Sequence, residues 1–133
     1  MSQVRVGVDL VSVEDVDRSV LRFGDRYLRR VYTDHEIASC QGPPRVTAAG
    51  LAARFAAKEA AVKVLRPSGP RPDWRSIEVR RHDDGWCGLE LRGRAARLAE
   101  EAGLRSIAVS LSHEGDMAGA VVVALAAEED AKP

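Results

Sequence analysis

The chain has 133 residues, of which 45% are hydrophobic and 30% charged, so we expect one globular domain that buries a core without disulfides. Its 20 basic and 20 acidic side chains cancel to a formal net charge of zero, which argues against non-specific nucleic-acid binding. Cys40 and Cys87 lack metal-type spacing, so we expect both to be reduced packing residues. The chain has neither a secretory leader nor a bilayer-spanning run, so we expect a cytoplasmic protein without a membrane partner.

The N-terminal third of the chain predicts one strand followed by helices. The run from Val4 to Val11 is rich in β-branched residues and indicates a buried strand. Ser12, with Asp15 three residues later, is a typical N-cap, and Gly24 is a typical helix stop. We predict helices over Val13–Phe23 and Asp25–Val31, a short one from a Thr33 cap through Ile37 and Ala38, and a loop over 41–44.

The clearest element is a long helix from Val46 to Leu65, which carries alanine at eight positions and contains no proline. A loop over 67–70, rich in proline and glycine, ends it. Small side chains on one face let another backbone pack closely against this helix. The alanines that share this face are Ala49, Ala52, Ala53, Ala56 and Ala60.

The remainder of the chain indicates strands and one helix. Alternation over Ser76–Arg80 and Cys87–Leu91, with turn residues at 83–85 between them, predicts a hairpin. The α+β pattern predicts one domain over residues 1–126. We further predict a helix from Arg94 to Ala102 that stops at Gly103, a strand over Ser106–Ser112, a strand over Met117–Leu125 buried on both faces, and a disordered acidic tail over 127–133.

Asp9 is unusual because it interrupts a run of valines. A carboxylate in a buried strand is costly unless it is paired or holds a cation. One interpretation is structural, in which Asp9 caps the following helix or pairs with an arginine. The other is functional, in which Asp9 binds a metal ion.

Glu59 lies in the middle of the alanine-rich helix, after Lys58 and four residues before Lys63. An ordinary Glu–Lys pair on a solvated face is one interpretation. The apolar surroundings favour another, in which carboxylates and a lysine serve a divalent cation and a pyrophosphate. Mg²⁺ takes oxygen ligands, often one or two carboxylates with substrate phosphates.

The sequence Ser110-Leu111-Ser112-His113 closes a strand just before a turn. The serines could be the polar face of a half-exposed strand, with His113 a turn residue. Alternatively, His113 lies at the rim of a site and binds a phosphate. The ordering that would indicate a hydrolase triad is absent.

Taken in order, the three segments that contain Asp9, Glu59 and His113 resemble the motifs of the holo-acyl-carrier-protein synthase type of 4′-phosphopantetheinyl transferase. The resemblance runs from Val6 to about Ala124. It rests on Gly7-Val8-Asp9, on Phe55-Ala56-Ala57-Lys58-Glu59-Ala60-Ala61-Val62-Lys63 and on Ser110-Leu111-Ser112-His113.

The resemblance implies an antiparallel α+β domain that forms a homotrimer with active sites at the subunit interfaces. It implies that Asp9 and Glu59 hold Mg²⁺, which bridges to the pyrophosphate of coenzyme A. Asp9, Glu59 and Lys63 would be catalytic, with Glu59 or a water on the metal as the base. Coenzyme A would bind through Arg54, Lys58, Lys63, Ser110 and His113. A serine of an apo acyl carrier protein would receive 4′-phosphopantetheine, and 3′,5′-ADP would leave.

An arginine-rich stretch predicts the docking of an acidic carrier protein despite the zero net charge. Where similar proteins usually carry an arginine, six residues after Asp9, this chain has Asp15, and Arg18 is the nearest substitute. The carrier is expected to be of the fatty-acid or the polyketide type, and this departure favours the polyketide type. A solvated arginine face is the structural alternative. The predicted docking residues are Arg18, Arg22, Arg26 and Arg29, followed by Arg30.

Two rival functions remain open at this point. A non-catalytic coenzyme A-binding or scaffold protein of the same fold would need no transfer chemistry. Another Mg²⁺-dependent phosphate enzyme, such as a nucleotide pyrophosphatase, would break coenzyme A without a carrier.

Overall fold

A long helix packed across a three-stranded sheet organises the chain. In the computed structural model, which describes residues 2–41 and 47–127, the sheet is antiparallel with strand order β1–β5–β4. An antiparallel hairpin of β2 and β3 forms a second, two-stranded sheet, so the fold is α+β as the sequence predicts. The elements are β1 (Ser2–Ser12), α1 (Val13–Phe23), α2 (Asp25–Val31), α3 (Asp34–Ser39), α4 (Ala48–Leu65), a 3-10 turn (Trp74–Ser76), β2 (Ile77–Arg81), β3 (Cys87–Leu91), α5 (Gly93–Glu101), β4 (Leu104–Glu114) and β5 (Met117–Ala127).

Local capping chemistry places several boundaries where the sequence predicts them. The Ser12 hydroxyl accepts a hydrogen bond from the Asp15 amide at the start of α1, and Gly24 ends this helix at φ 55°. Thr33 and Glu36 form a full capping box on α3. The predicted start of α4 at Val46, most of the predicted loop over 41–44 and residues 128–133 of the predicted tail lie outside the described residues.

Helix α4 is buried on most of its circumference. It packs on β1 and β5 of the sheet and also contacts β2, α1 and α5. Leu51 and Val64, near its two ends, are fully buried and belong to different hydrophobic clusters. No helix within the described ranges has the length and apolar character that crossing a bilayer requires.

The prediction that β1 and β5 are buried is wrong for one face of each strand. On β1, Val6 and Leu10 are 59% and 66% exposed, and on β5 Val123 and Leu125 are also exposed. The opposite face packs against α4 through small or polar side chains. The sequence of β1 does alternate, but its large apolar residues lie on the open face, and β5 is apolar on both faces, so the usual rule that the apolar face is buried fails here. The residues on the open face are Val4, Val6, Val8, Leu10, Val121, Val123 and Leu125.

Candidate active site

The contact between β1 and α4 is unusually close at Gly7. A Cβ atom at this position would lie 2.2 Å from the carbonyl oxygen of Ala60, so only glycine fits. Alternation along β1 places Asp9 on the same face, two residues further along. The glycine thus lets the strand bring a carboxylate directly onto the surface of α4.

Asp9, Glu59 and Lys63 meet at this contact. The Lys63 Nζ donates a hydrogen bond to the Val8 carbonyl oxygen (2.7 Å) and lies 3.3 Å from Asp9 Oδ1. Lys63 is exposed, whereas the side chain of Asp9 is 16% exposed. Of the two interpretations of Glu59, the simple Glu59–Lys63 pair on a solvated face does not fit, because Lys63 contacts Asp9 and the Val8 carbonyl oxygen of β1.

The electrostatics of Glu59 indicate a crowded carboxylate pair. Burial, a hydrogen bond with the Asp9 side chain and the charge of Asp9 raise the pKa of Glu59 to about 7, although Lys63 and Arg71 oppose the rise. Asp9 Oδ2 is buried and has no hydrogen-bond partner among the described residues. Such an oxygen costs free energy unless something binds it.

The cluster fits a hard divalent cation completed by substrate oxygens. Carboxylate oxygens are the donors that Mg²⁺ prefers, and here two carboxylates lie together, one of them with an unpartnered oxygen. Within the described ranges, no three His, Cys, Asp or Glu side chains group closely enough to hold a metal. Ligands from water or phosphate would have to complete the coordination, which is how Mg²⁺ is usually bound.

Arg54 and His113 line a second feature, a cavity of about 390 Å³. The Arg54 Nη1 donates to the carbonyl oxygen of Gly50 (3.2 Å), while its Nε is buried with no partner in the described part of the chain. Arg81 contributes another positive charge to the wall of the cavity. The cavity therefore suits an anion.

The cluster of Asp9, Glu59 and Lys63 and the cavity of Arg54 and His113 lie at opposite edges of the sheet. Asp9 is on β1 and His113 is on β4, and β5 separates these strands. Neighbouring strands are about 4.8 Å apart, so β1 and β4 are about 10 Å apart. None of Asp9, Glu59 and Lys63 lines the cavity of Arg54 and His113. One protomer does not bring the predicted metal ligands and the predicted nucleotide ligands into one pocket.

Ser110 faces away from both features. It pairs with Val121, which in turn pairs with Val8, and all three are exposed on the open face of the sheet. Within this protomer Ser110 therefore contacts neither the carboxylates nor the cavity of Arg54 and His113.

The prediction that Lys58 binds the cofactor is contradicted by its position. Its side chain is fully buried, and its Nζ lies 2.8 Å from Glu36 Oε1 and donates to the Trp74 carbonyl oxygen at 2.9 Å. A third bond goes to the carbonyl oxygen of Ile77. Glu36 is itself held by the Val79 amide (2.8 Å). Three partners saturate the ammonium group, so Lys58 ties α4 to α3 and to the segment before β2.

The predicted docking arginines are all exposed, but their surroundings differ. Arg18 lies 2.9 Å from Glu14 and 3.5 Å from Asp15, so its charge is largely offset. Arg22 lies over the ring of Phe23. Arg26 and Arg29 lie on α2, where Arg29 has only a loose contact with Asp34, at 4.0 Å.

Sequence reasoning missed Arg71 and Trp74. Arg71 lies near enough to Glu59 to lower its pKa, and its guanidinium is 4.0 Å from the centre of the Trp74 ring. Both residues come after the proline-glycine loop that ends α4. The only signal in the sequence was an aromatic residue between two arginines, Arg71 and Arg75.

Comparisons with known proteins show the family and the fold of the chain. The model of the 4′-phosphopantetheinyl transferase superfamily matches residues 5–122. A holo-acyl-carrier-protein synthase of Chloroflexus aurantiacus is 45% identical over 132 residues, covering 90% of this chain and 96% of the relative. The ACPS–CoA complex of Chronobacterium ammoniagenes is similar with a TM-score of 0.80 and 30% identity, over 95% of this chain and 99% of that one. The acyl carrier protein synthase of Mycobacterium tuberculosis is similar with a TM-score of 0.70 and 34% identity, over 92% and 96%.

Proposed function

The chain belongs to the 4′-phosphopantetheinyl transferase superfamily and resembles its holo-acyl-carrier-protein synthases, and on this premise we propose that it primes an acyl carrier protein from coenzyme A. The product would be the holo carrier protein, with 3′,5′-ADP released. The observation that carries the proposal is the meeting of Asp9, Glu59 and Lys63, with one buried carboxylate oxygen left unpartnered.

Asp9 and Glu59 would hold Mg²⁺, and Lys63 would contact the pyrophosphate beside it. The bound ion would neutralise charge on the phosphates and on the leaving group. Lys63 is suited to this role because its ammonium group is exposed and is anchored by the Val8 carbonyl oxygen. A fixed positive charge at this point stabilises the developing charge without reorganisation.

Glu59 is our candidate for the base. The pKa of about 7 belongs to the metal-free pair, and Mg²⁺ held by Asp9 and Glu59 would lower it, so the proposal for Glu59 rests on its position beside Asp9 and Lys63. The serine oxygen of the carrier forms a bond to the β-phosphorus of coenzyme A, and the bridging P–O bond breaks. The serine proton passes to Glu59, and 3′,5′-ADP departs with the bridging oxygen.

A homotrimer would complete the site. Rings are built from heterologous interfaces, in which one surface of a protomer meets a different surface of the next. The cluster of Asp9, Glu59 and Lys63 and the cavity of Arg54 and His113 lie at opposite edges of the sheet, as such an assembly needs. The open apolar face of β1 and β5 is a surface that a second copy would cover. Ser110 lies on that face and would reach coenzyme A only in the assembly.

The partner would be an acidic acyl carrier protein docked on the exposed arginines of α1 and α2. Arg22, Arg26 and Arg29 carry this part of the proposal, because Arg18 is offset by Glu14 and Asp15. A fatty-acid carrier and a polyketide carrier are both compatible with such a surface.

The deciding experiment is mass spectrometry of apo carrier proteins of the fatty-acid, polyketide and peptide types. Each is incubated with the protein, coenzyme A and Mg²⁺, and a gain of one phosphopantetheine is expected on at least one of them.

Glu59→Gln should abolish the gain while the circular dichroism spectrum is unchanged, because it removes a charge but little volume. The matched control, Glu100→Gln on the exposed side of α5, should keep full activity. A protein that modifies none of the carriers would be a scaffold or binding homologue, and cleavage of coenzyme A without a carrier would indicate a pyrophosphatase.

A further inference from the structure

Arg71 and Trp74 form a wall beside Glu59, in the segment that joins α4 to β2. The guanidinium of Arg71 lies 4.0 Å from the centre of the Trp74 ring. We propose that Arg71 binds the β-phosphate of coenzyme A, the group that is transferred, while the carrier serine attacks it. This inference rests on the proposed function and adds a substrate-binding residue to the cluster of Asp9, Glu59 and Lys63.

The ring beneath Arg71 is fixed to the helix that carries Glu59. Trp74 packs edge-on against Phe55 of α4, with 5.1 Å between the two ring centres. The carbonyl oxygen of Trp74 accepts a hydrogen bond of 2.9 Å from the Nζ of Lys58, whose side chain is fully buried. One contact holds the ring and the other holds the backbone. An arginine that stacks on such a ring is positioned in advance, so it loses less entropy when it binds a ligand.

The stack places Arg71 at one end of a row along α4. Phe55 and Glu59 are four positions apart, and Lys63 follows after another four, so the three side chains are neighbours on the helix surface. Arg71 reaches this row through the ring that packs on Phe55. Its charge acts on the Glu59 carboxyl, which agrees with this placement. Arg71 and Lys63 therefore flank Glu59 from opposite directions along α4.

The donors of Arg71 are open to a ligand, whereas those of Lys63 are partly used. Arg71 is exposed and forms no salt bridge with any residue in the described part of the chain. Lys63, by contrast, donates to the Val8 carbonyl oxygen at 2.7 Å and lies 3.3 Å from Asp9 Oδ1. A guanidinium presents its N–H groups as a planar fork that matches two oxygens of one phosphate. Arg71 thus offers a contact that Lys63 cannot duplicate.

The charge balance of the site also requires a further cation. Two ionised carboxylates, Lys63 and a divalent ion together carry a single positive charge, whereas the pyrophosphate of coenzyme A carries two negative charges. Arg71 supplies the missing positive charge. During transfer, charge lies on the oxygens of the moving phosphate and of the leaving group, and a cation fixed in advance beside them stabilises the transition state.

The first test compares substitutions of two arginines on the same segment. Arg71→Gln removes the charge and should lower kcat about tenfold at saturating coenzyme A and carrier, because a charge-assisted contact in the transition state is lost. Arg71→Lys, which keeps the charge but not the fork, should lose less. Arg75→Gln is the matched control, since Arg75 is also exposed, and it should keep kcat within about twofold.

A binding measurement identifies the phosphate that Arg71 contacts. The product 3′,5′-ADP lacks the transferred phosphate, so calorimetry with Mg²⁺ and without a carrier can compare it with coenzyme A. Arg71→Gln should weaken the binding of coenzyme A about fivefold and leave that of 3′,5′-ADP within about twofold. Lys63→Gln should weaken the binding of both, because Lys63 contacts the pyrophosphate that remains partly on the product.

The outcomes separate this inference from the proposed function. Equal losses of affinity for coenzyme A and for 3′,5′-ADP in Arg71→Gln would overturn the inference, and so would an effect confined to the Michaelis constant for the carrier. Either result leaves transfer by the unchanged protein intact. Binding of coenzyme A by the unchanged protein without transfer to any carrier would instead refute the proposed function.

Discussion

Two lysines of α4, five positions apart, have opposite surroundings. Lys58 is sealed in the core against Glu36 and two carbonyl oxygens, whereas Lys63 is exposed and reaches across to β1. Spacing alone could not separate them, because the helix carries alanine around most of its circumference and lacks a polar side. The sequence marked both lysines as ligands, and only the packing of α3 and of the segment before β2 shows that Lys58 is a structural residue.

Magnesium binding can be tested at the residue scale without any assay of transfer. Mg²⁺ should raise the melting temperature of the unchanged protein, since a ligand that binds only the folded state stabilises it. Asp9→Asn should remove most of this rise, because it weakens one of two charged ligands. Glu100→Gln, which alters a distant exposed carboxylate, should keep it. An equal rise in all three proteins would mean that the ion binds elsewhere.

The same carboxylate pair makes a prediction for the metal-free protein. The raised pKa of Glu59 means that the folded state disfavours its ionised form relative to the unfolded state. The resulting loss of stability is absent well below pH 4.5, grows as the pH rises and is complete above about 7. In EDTA at pH 8, Glu59→Gln should therefore melt at or above the temperature of the unchanged protein. A clearly lower value would show that the charge of Glu59 stabilises the fold.

At the scale of elements, β1 and β5 reverse the usual pattern of a half-buried strand. Their larger apolar side chains point outward, while the face toward α4 carries Arg5, Gly7 and Asp9 on β1 and four alanines on β5. Small residues on that face allow the close helix–strand approach that builds the site. The helix ends and turns could be predicted because their signals are local, as at Ser12 and Gly24. The open face could not, because it depends on what else packs against the sheet.

Gly7 offers a test of this close approach. Gly7→Ala would place a Cβ against the backbone oxygen of Ala60, which cannot swing away as a side chain can. We expect a loss of about 1–3 kcal/mol in the free energy of unfolding and a weaker Mg²⁺-induced rise in melting temperature, because β1 must move off α4. Gly119→Ala is the matched control, since its Cβ would meet the movable end of the Leu10 side chain at 2.9 Å and the Asp9 carbonyl oxygen only at an ordinary contact distance of 3.6 Å. Equal losses in the two variants, measured by urea unfolding, would rule out a special role for Gly7.

At the scale of the whole molecule, the chain carries a carboxylate cluster, a separate cavity lined by Arg54 and His113, and an open apolar face. The cluster of Asp9, Glu59 and Lys63 lies at the β1 edge of the sheet, and the cavity of Arg54 and His113 lies at the β4 edge. A large exposed apolar surface is unusual for a monomer and indicates an interface. The homotrimer that we propose would cover this face and join the two edges, and would thereby account for all three features together.

Mixing two inactive variants tests whether the site is shared between copies. Glu59→Gln removes a carboxylate from the cluster at the β1 edge, and His113→Ala removes a side chain from the cavity at the β4 edge. Each variant, tested alone, should lose most of its transferase activity. If subunits exchange at random in a trimer, a site is intact only when it takes Glu59 from the second variant and His113 from the first. That combination arises with a probability of one half times one half, so about a quarter of full activity should return. A mixture as inactive as its components, although mass spectrometry shows mixed trimers, would mean that each protomer builds its site alone.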